Sequence, residues 1–473
     1  MNKKKKRKKM TTAKYFQLSE NFAMRGWRDL EYTLQHQPSG RVFYLTKSAA
    51  DAVLLAFNGI AVNSPAMLPL HRQVLNSLVE NGLGVWNTEF SAPEDFQRYR
   101  KTECNCTQSI HWSITGRCNM QCRHCYLDAP DAFYGEMNLE QCIKIMDQMV
   151  EANICCVSIT GGEPLVRPDW AQFIAALQER RLHIETIYTN GLLVTEKWIE
   201  KFQALYPQKV LFSLSFDGIG CHDWLRGRAG MEARTIEAIK SLTAHGYSIE
   251  IETPIFKDNL DKLPATCGLL ADLGIRNWKL SPMIESKAWE KYSAEHSATT
   301  EEIIQAAVAL LEKFEELNKP FNLQIAHYYI YEKNSGKAYA PAFSGENSEK
   351  ALKHPLCSCM RQHPYLLPDG TLMPCMPLAN CGIDNQMQNL LKTPLIEVLQ
   401  PGSALYALSD MRLGDFLENH AKECNSCEHK YTCKGGCRAC AKQCGNLYGP
   451  DTQMCQYFKA GHYRAFEKFL QQK

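Results

Sequence analysis

Cys118-x3-Cys122-x2-Cys125 puts three thiolates into one short loop. Thiolates are soft ligands suited to iron–sulfur clusters or zinc. A 4Fe–4S cube has four irons, so three protein ligands leave one iron open to a non-protein ligand. A structural zinc site takes four ligands in paired spacings, and this loop has three, so the cluster is the better fit. A second field follows near the end of the chain: Cys424-x2-Cys427-x5-Cys433-x3-Cys437, with Cys455 after it. Seven of the 21 cysteines lie between Cys424 and Cys455. That spacing is specific, and CxxC pairs of this kind commonly bind zinc, as in a zinc ribbon. Cys357, Cys359, Cys375 and Cys381 stand upstream, Cys375 just after a Pro368-Asp369-Gly370 turn.

The elements that must position these residues alternate. Strands are expected at Ile110–Thr115, Val157–Thr160, Ile184–Thr189, Val210–Phe216, Ile249–Ile255 and Trp278–Ser281, with helical patterns between them. In the first helix Leu139, Ile143, Met146 and Val150 share a face behind an Asn138 cap. Six β/α repeats call for a parallel sheet, open or curled as a partial barrel. Function in such folds gathers at the C-terminal ends of strands. There lie the Cys118 loop, Gly161-Gly162-Glu163-Pro164, Thr189-Asn190-Gly191 and Asp217-Gly218. Cys155 and Cys156, before the second strand, read as core residues.

Residues 12–90 read as a separate small domain. Strands at Leu30–Leu34 and Val42–Leu45 flank the turn Pro38-Ser39-Gly40, and a helix capped by Thr46 ends at Asn58-Gly59. A second helix stops at Gly82, and a short strand Leu83–Val85 follows. This order suits a winged-helix-like module. Residues 88–108 read as a linker and Thr300–Asn318 as a charged helix. The Cys-, Pro- and Gly-rich region from about 350 is expected to bury little apolar surface and to be held by metal clusters.

Cys118-Asn119-Met120-Gln121-Cys122-Arg123-His124-Cys125-Tyr126 resembles the signature loop of the radical S-adenosylmethionine (SAM) superfamily, Tyr126 included. The resemblance implies an α/β fold, a partial (β/α)6 barrel over 109–320. It also implies a 4Fe–4S cluster on Cys118, Cys122 and Cys125, whose open iron is chelated by SAM. Reductive cleavage of SAM then gives a 5′-deoxyadenosyl radical that abstracts hydrogen from substrate. Gly161, Gly162, Glu163 and Pro164 resemble the family's GGEP motif, whose backbone and Glu hold the amino group of SAM; a plain tight turn is the alternative. By the same resemblance Thr189, Asn190, Ser215 and Asp217 line the cofactor. Arg226 binds its carboxylate, unless it makes a surface salt bridge.

The second field resembles the SPASM extension of this superfamily, over 350–473, which carries two auxiliary 4Fe–4S clusters. That implies Cys424, Cys427, Cys433 and Cys455 around one. Cys437 and Cys375, with one or more of Cys357, Cys359 and Cys381, surround the other. Cys440 and Cys444 have no place in the basic pattern and read as structural or alternative ligands. The N-terminal domain resembles the peptide-recognition element of peptide-maturing enzymes, which captures a leader peptide by strand addition. The combination implies a maturase that installs a thioether or carbon–carbon cross-link in a ribosomally made peptide. Its electron donor would be a flavodoxin or ferredoxin. A sulfatase-maturing enzyme is the alternative; there an Asp follows the cysteine matched by Cys375, and Met376 stands here. A non-catalytic iron–sulfur or zinc scaffold that binds peptides is the other.

Composition excludes other classes. Lys3–Lys9 carry seven positive charges, leaving 46 Lys and Arg against 51 Asp and Glu. A globally basic, nucleic-acid-binding surface is therefore not expected. The run itself reads as a solvated tail over residues 1–11. No apolar stretch reaches the length of a membrane span, and no signal-peptide core follows the tail. A cytoplasmic protein is expected, and reduced thiols there favour metal binding over disulfides.

Overall fold

The computed structural model describes residues 13–129, 132–343, 347–379 and 381–470; the basic tail lies outside them. The chain divides into two units. One holds the chain up to Gln108 together with Met149–Cys156; the other holds Ser109–Gln148 and Val157 onward.

The first unit has two small sheets. Strands β1 (Tyr15–Leu18) and β5 (Gly84–Asn87) pair antiparallel. Strands β2 (Phe22–Gly26), β3 (Thr33–His36), β4 (Val42–Tyr44) and β6 (Arg100–Lys101) form the order β4-β3-β2-β6. Helices α1 (Lys47–Phe57) and α2 (Pro69–Glu80) cover a core that includes Leu34, Ala50, Val53 and Leu75. Thr46 caps α1 as expected, accepting from the Ala49 amide.

Two expectations need correction here. β1 and β2 are not among the expected strands: β1 alternates over only four residues, and β2 is buried at every position. Residues 88–108 are also not a bare linker. Arg25 donates to the carbonyls of Phe96 and Arg98, and Gln97 donates to those of Ser19 and Phe22. Asn153, in the left-handed region at φ 59°, explains why a piece of later chain belongs here. Its side chain donates to Gly26 O, and its carbonyl accepts from Gln35 Nε2 at 2.8 Å.

The second unit is built on an eleven-stranded sheet. Its parallel centre is β7 (Ser109–Ser113), β8 (Cys156–Thr160), β9 (His183–Thr189), β10 (Leu211–Ser215), β11 (Ser248–Ile255) and β12 (Asn277–Pro282), in sequential order. These are the six expected strands within a residue or two. β13 (Asn322–Ile325) extends the parallel run; β14 (Tyr329–Glu332) and β15 (Lys337–Tyr339) add antiparallel. At the other end β16 (Tyr365–Leu366) pairs parallel to β7, and β17 (Leu372–Met373) follows it.

Helices α3 (Leu139–Glu151), α4 (Trp170–Glu179), α5 (Glu196–Leu205), α6 (His222–Arg226), α7 (Met231–Ala244) and α8 (Leu263–Asp272) connect the strands. Asn138 and Gln141 close a reciprocal capping box on α3, each side chain accepting from the other's amide at 2.9 Å. The outer face of the sheet packs on helix aromatics. Trp112 meets Phe173 of α4 edge-on at 5.2 Å, and Phe212 meets Trp198 and Phe202 of α5.

The C-terminal region corrects a third expectation. It does bury apolar side chains: Met360, Tyr365, Leu367, Met373 and Leu378 share one core with Leu127 and Ala129. Short elements too brief to show periodicity supply this core, so the sequence pattern hid it.

Candidate active site

The cysteine loop leaves β7 and is tied down by backbone. Gly116 N–H donates to Gly135 O, Glu163 N–H to Arg117 O, and Arg123 N–H to Leu225 O. Gly161 and Gly162 sit where a side chain would collide: an added Cβ would meet Thr115 O at 2.8 Å and Arg117 O at 2.3 Å. Only glycine allows the second loop to run this close to the first.

The three thiols lie in electrostatic reach of one another. Cys125 Sγ accepts from the Ala129 amide at 3.4 Å, and Arg226 Nη1 lies 3.9 Å from Cys122 Sγ. Burial pushes the Cys118 thiol up to about 12, so ligation is what would hold it as thiolate. Beside the loop lies a cavity of about 340 Å³ lined by Cys118, Asn119, Met120, Gln121, Gly227 and Arg228. Three convergent thiols with an adjoining cavity fit a cube with one open iron.

The other expected residues organise the loops around this site. Glu163 is fully buried. Its Oε1 accepts from Leu165 N–H and Thr189 Oγ1, and its Oε2 from Asn190 N–H, at 2.8–3.1 Å. Asn190 Nδ2 donates in turn to Asn119 Oδ1 at 2.8 Å. The second and third loops and the cysteine loop are thus one hydrogen-bonded unit. Pro164 is buried, while Ser215 ends β10 half-buried. Tyr126 Oη is 3.5 Å from Tyr365 Oη.

Asp217 is fully buried and bridges to Arg226 through two 2.6 Å contacts; His222 Nδ1 is 2.9 Å away. Arg226 is therefore in a buried ion pair, not a surface one. Gly227, at φ 67°, lets the end of α6 meet the cysteine loop; a Cβ there would lie 2.4 Å from Gln121 O.

Burial raises the Glu163 carboxyl from 4.5 to about 7, and its three donors oppose the rise. A raised carboxyl contributes stability that is full below its unfolded value and is lost as pH climbs through the folded one. Glu163→Gln sets an amide NH2 against a donor, costing about 1–3 kcal/mol. It also removes the wild-type decline between pH 4.5 and 7. Denaturant titrations across that range check both effects.

Further cysteines gather in the same unit. Cys375 lies in electrostatic reach of Cys437, Cys357 and Cys359. Cys381 is not brought to them; its neighbours are Lys442 and Asp384, and its Sγ donates to Pro377 O. Cys424 and Cys433 are each in reach of Cys455, and Cys455 of Cys427. One residue escaped the sequence reading. His327, at φ 68°, brings a ring nitrogen within 4.8 Å of the sulfurs of Cys437 and Cys440. The Cys437-x2-Cys440 spacing was the available signal; His327, over 100 residues upstream, gave none.

Residues 112–270 match the radical SAM superfamily. The chain carries a radical SAM domain. Such domains use a 4Fe–4S cluster and SAM, which the donor set here fits. The antilisterial bacteriocin subtilosin biosynthesis protein AlbA of Bacillus subtilis is 30% identical over 35% of this chain and 38% of its own length. The AdoMet-dependent heme synthase of Nitratidesulfovibrio vulgaris is 22% identical over 74% of this chain and 92% of its own. Among solved structures, Streptococcus suis SuiB bound to its precursor peptide SuiA superposes with a TM-score of 0.66 at 15% identity. It covers 93% of this chain and all of SuiB. At that identity the likeness is one of fold.

Proposed function

We propose that this protein is a radical SAM maturase that cross-links a ribosomally made peptide, through a thioether or a carbon–carbon bond. One observation carries the reading. Cys118 and Cys125 of the radical SAM loop pack against the same apolar core as Cys357, Cys375 and Cys437. A redox centre on the second group would thus sit in the same compact unit as the first, suited to a net oxidation of substrate. The AlbA match and the SuiB fold support a peptide as that substrate. Auxiliary clusters would be held by Cys357, Cys359, Cys375 and Cys437, and by Cys424, Cys427, Cys433 and Cys455. When bound, the first cluster and SAM supply one-electron cleavage of a sulfonium and hydrogen-atom abstraction. The chain's own part is to fix the loops through Glu163 and Asn190 and to anchor Arg226 on Asp217. A flavodoxin or ferredoxin would deliver the electron. Among the described residues no helix is long and apolar enough to cross a membrane.

The test is coexpression with the peptides encoded by short reading frames beside the gene, followed by mass spectrometry. Loss of two hydrogens per bond supports the reading. A modified tetrapyrrole and unaltered peptides would favour a heme-synthase activity instead.

The first unit would dock the leader by strand addition. β4 is an edge strand, and its Phe43 and Tyr44 are 40% and 69% exposed. Arg41 O and Leu45 N–H bond inward to β3 and its flank, so by alternation Tyr44 presents its N–H outward. Tyr44→Pro removes that donor without breaking the inner ladder. We expect peptide affinity to fall about tenfold, the worth of roughly one hydrogen bond. Isothermal titration checks this; unchanged affinity would exclude this edge.

A further inference from the structure

The parallel sheet separates two kinds of side chain. Towards the helices, Phe212, Leu214, Ile249, Ile251, Trp278 and Leu280 are all buried. The opposite, inner face is polar. Tyr188, Ser213 and Glu250 are register partners across three strands, as are Ser215, Glu252 and Lys279. Adjacent strands put such partners about 4.8 Å apart, on one face. His111 stacks on Tyr188 at 4.7 Å.

Two carboxylates share this face and differ in state. Glu250, with a side chain 3% exposed, is satisfied by Lys279 Nζ at 2.8 Å and Asn277 Nδ2 at 3.1 Å. Glu252 lies 3.8 Å from the same ammonium and keeps 40% of its side chain accessible. It accepts no hydrogen bond among the described residues. Glu252 is in electrostatic reach of Arg226 and Tyr126, both beside the cysteine loop. Its neighbour Lys279 reaches Cys359 of the second cysteine group. Such an ion pair is weak evidence for stability, and the accessible carboxylate of Glu252 is open to a ligand.

We propose that Glu252, flanked by Lys279, accepts the proton released when the peptide cross-link closes. This rests on the maturase reading. The bonds balance as follows. One hydrogen atom leaves a substrate carbon for the 5′-carbon of the adenosyl group, whose C–S bond has been cleaved by one electron. The partner X–H bond, where X is sulfur or carbon, gives its proton to Glu252 and its electron pair to the new C–X bond. An oxidised iron–sulfur cluster, which Cys357, Cys359, Cys375 and Cys437 would hold, would take up the surplus electron. Partial burial and the neighbouring Glu250 carboxylate raise the Glu252 carboxyl, with Lys279 opposing, which brings its basicity closer to the working range of a general base.

The experiment uses the cluster-loaded enzyme and the peptide that it modifies on coexpression. Glu252→Gln keeps the side chain's size and gives up only the 3.8 Å approach to Lys279. We expect iron content, cluster spectra and peptide affinity to match the wild type. Deuterium should still pass from labelled peptide into 5′-deoxyadenosine, while cross-linked product falls at least about 100-fold. Glu252→Asp should restore part of the product, with a shifted pH profile. A Gln variant that cross-links at the wild-type rate overturns this assignment alone. Loss of peptide affinity together with deuterium transfer also overturns it, by making Glu252 structural. A wild-type enzyme that modifies no peptide overturns the maturase reading and this proposal with it.

Discussion

Replacing Cys118, Cys122 and Cys125 together with alanine abolishes reductive cleavage of SAM. The three thiols come from one loop, and Cys118 lines the adjoining cavity. Without them the open-iron cluster has no protein ligands. The loop itself should persist, because backbone bonds from Gly116, Arg123 and Glu163 hold it rather than the thiols. 5′-Deoxyadenosine formation should drop to background while the rest of the fold survives. Iron should fall from about 12 to about 8 atoms per chain if three 4Fe–4S clusters are loaded. Chromatography of the nucleoside and a colorimetric iron assay read the two effects. Wild-type cleavage by the triple variant would refute the site.

Asp217→Ala should carry the largest stability effect. Asp217 is wholly buried, and its carboxylate is the counter-ion of Arg226. Removing it strands a guanidinium in the interior, which costs about 3–5 kcal/mol. That is a large part of the 5–15 kcal/mol that holds a typical domain folded. Burial by itself would raise the Asp217 carboxyl, but Arg226 and His222 hold it well below the usual carboxylate range. A depressed carboxyl contributes stability that is present above its unfolded value near 3.9 and is lost as pH falls through the folded one. The wild type should therefore keep this contribution down to strongly acid pH, and the variant should lack it throughout. Chemical denaturation at pH 7 and pH 4 tests this. A cost below about 1 kcal/mol would show that the pair is dispensable.

The GGEP-like glutamate shows how a motif can be legible while its contacts are not. Sequence spacing placed Glu163 after the second strand. The structure turns all of its hydrogen bonds inward, to Leu165, Thr189 and Asn190. Its carboxylate fixes the loops that surround the cofactor site, a role that depends on where the third strand ends beside the second.

Local pattern by itself determined the six-strand core, the Asn138 and Thr46 caps and the cysteine loop. Each rests on residues within a few positions of one another, where periodicity, caps and spacing are physical signals in the chain itself. Tertiary structure decided what depends on contacts between distant segments. Asn153 joins the first unit through bonds to Gly26 and Gln35, more than a hundred residues away. Cys375 meets Cys437 while Cys381, only six residues on, does not. The inner face is an intermediate case. The alternation Ile249-Glu250-Ile251-Glu252 marks one polar and one apolar face. Which glutamate is neutralised depends on β12, because the single ammonium of Lys279 lies within hydrogen-bond distance of Glu250 and 3.8 Å from Glu252.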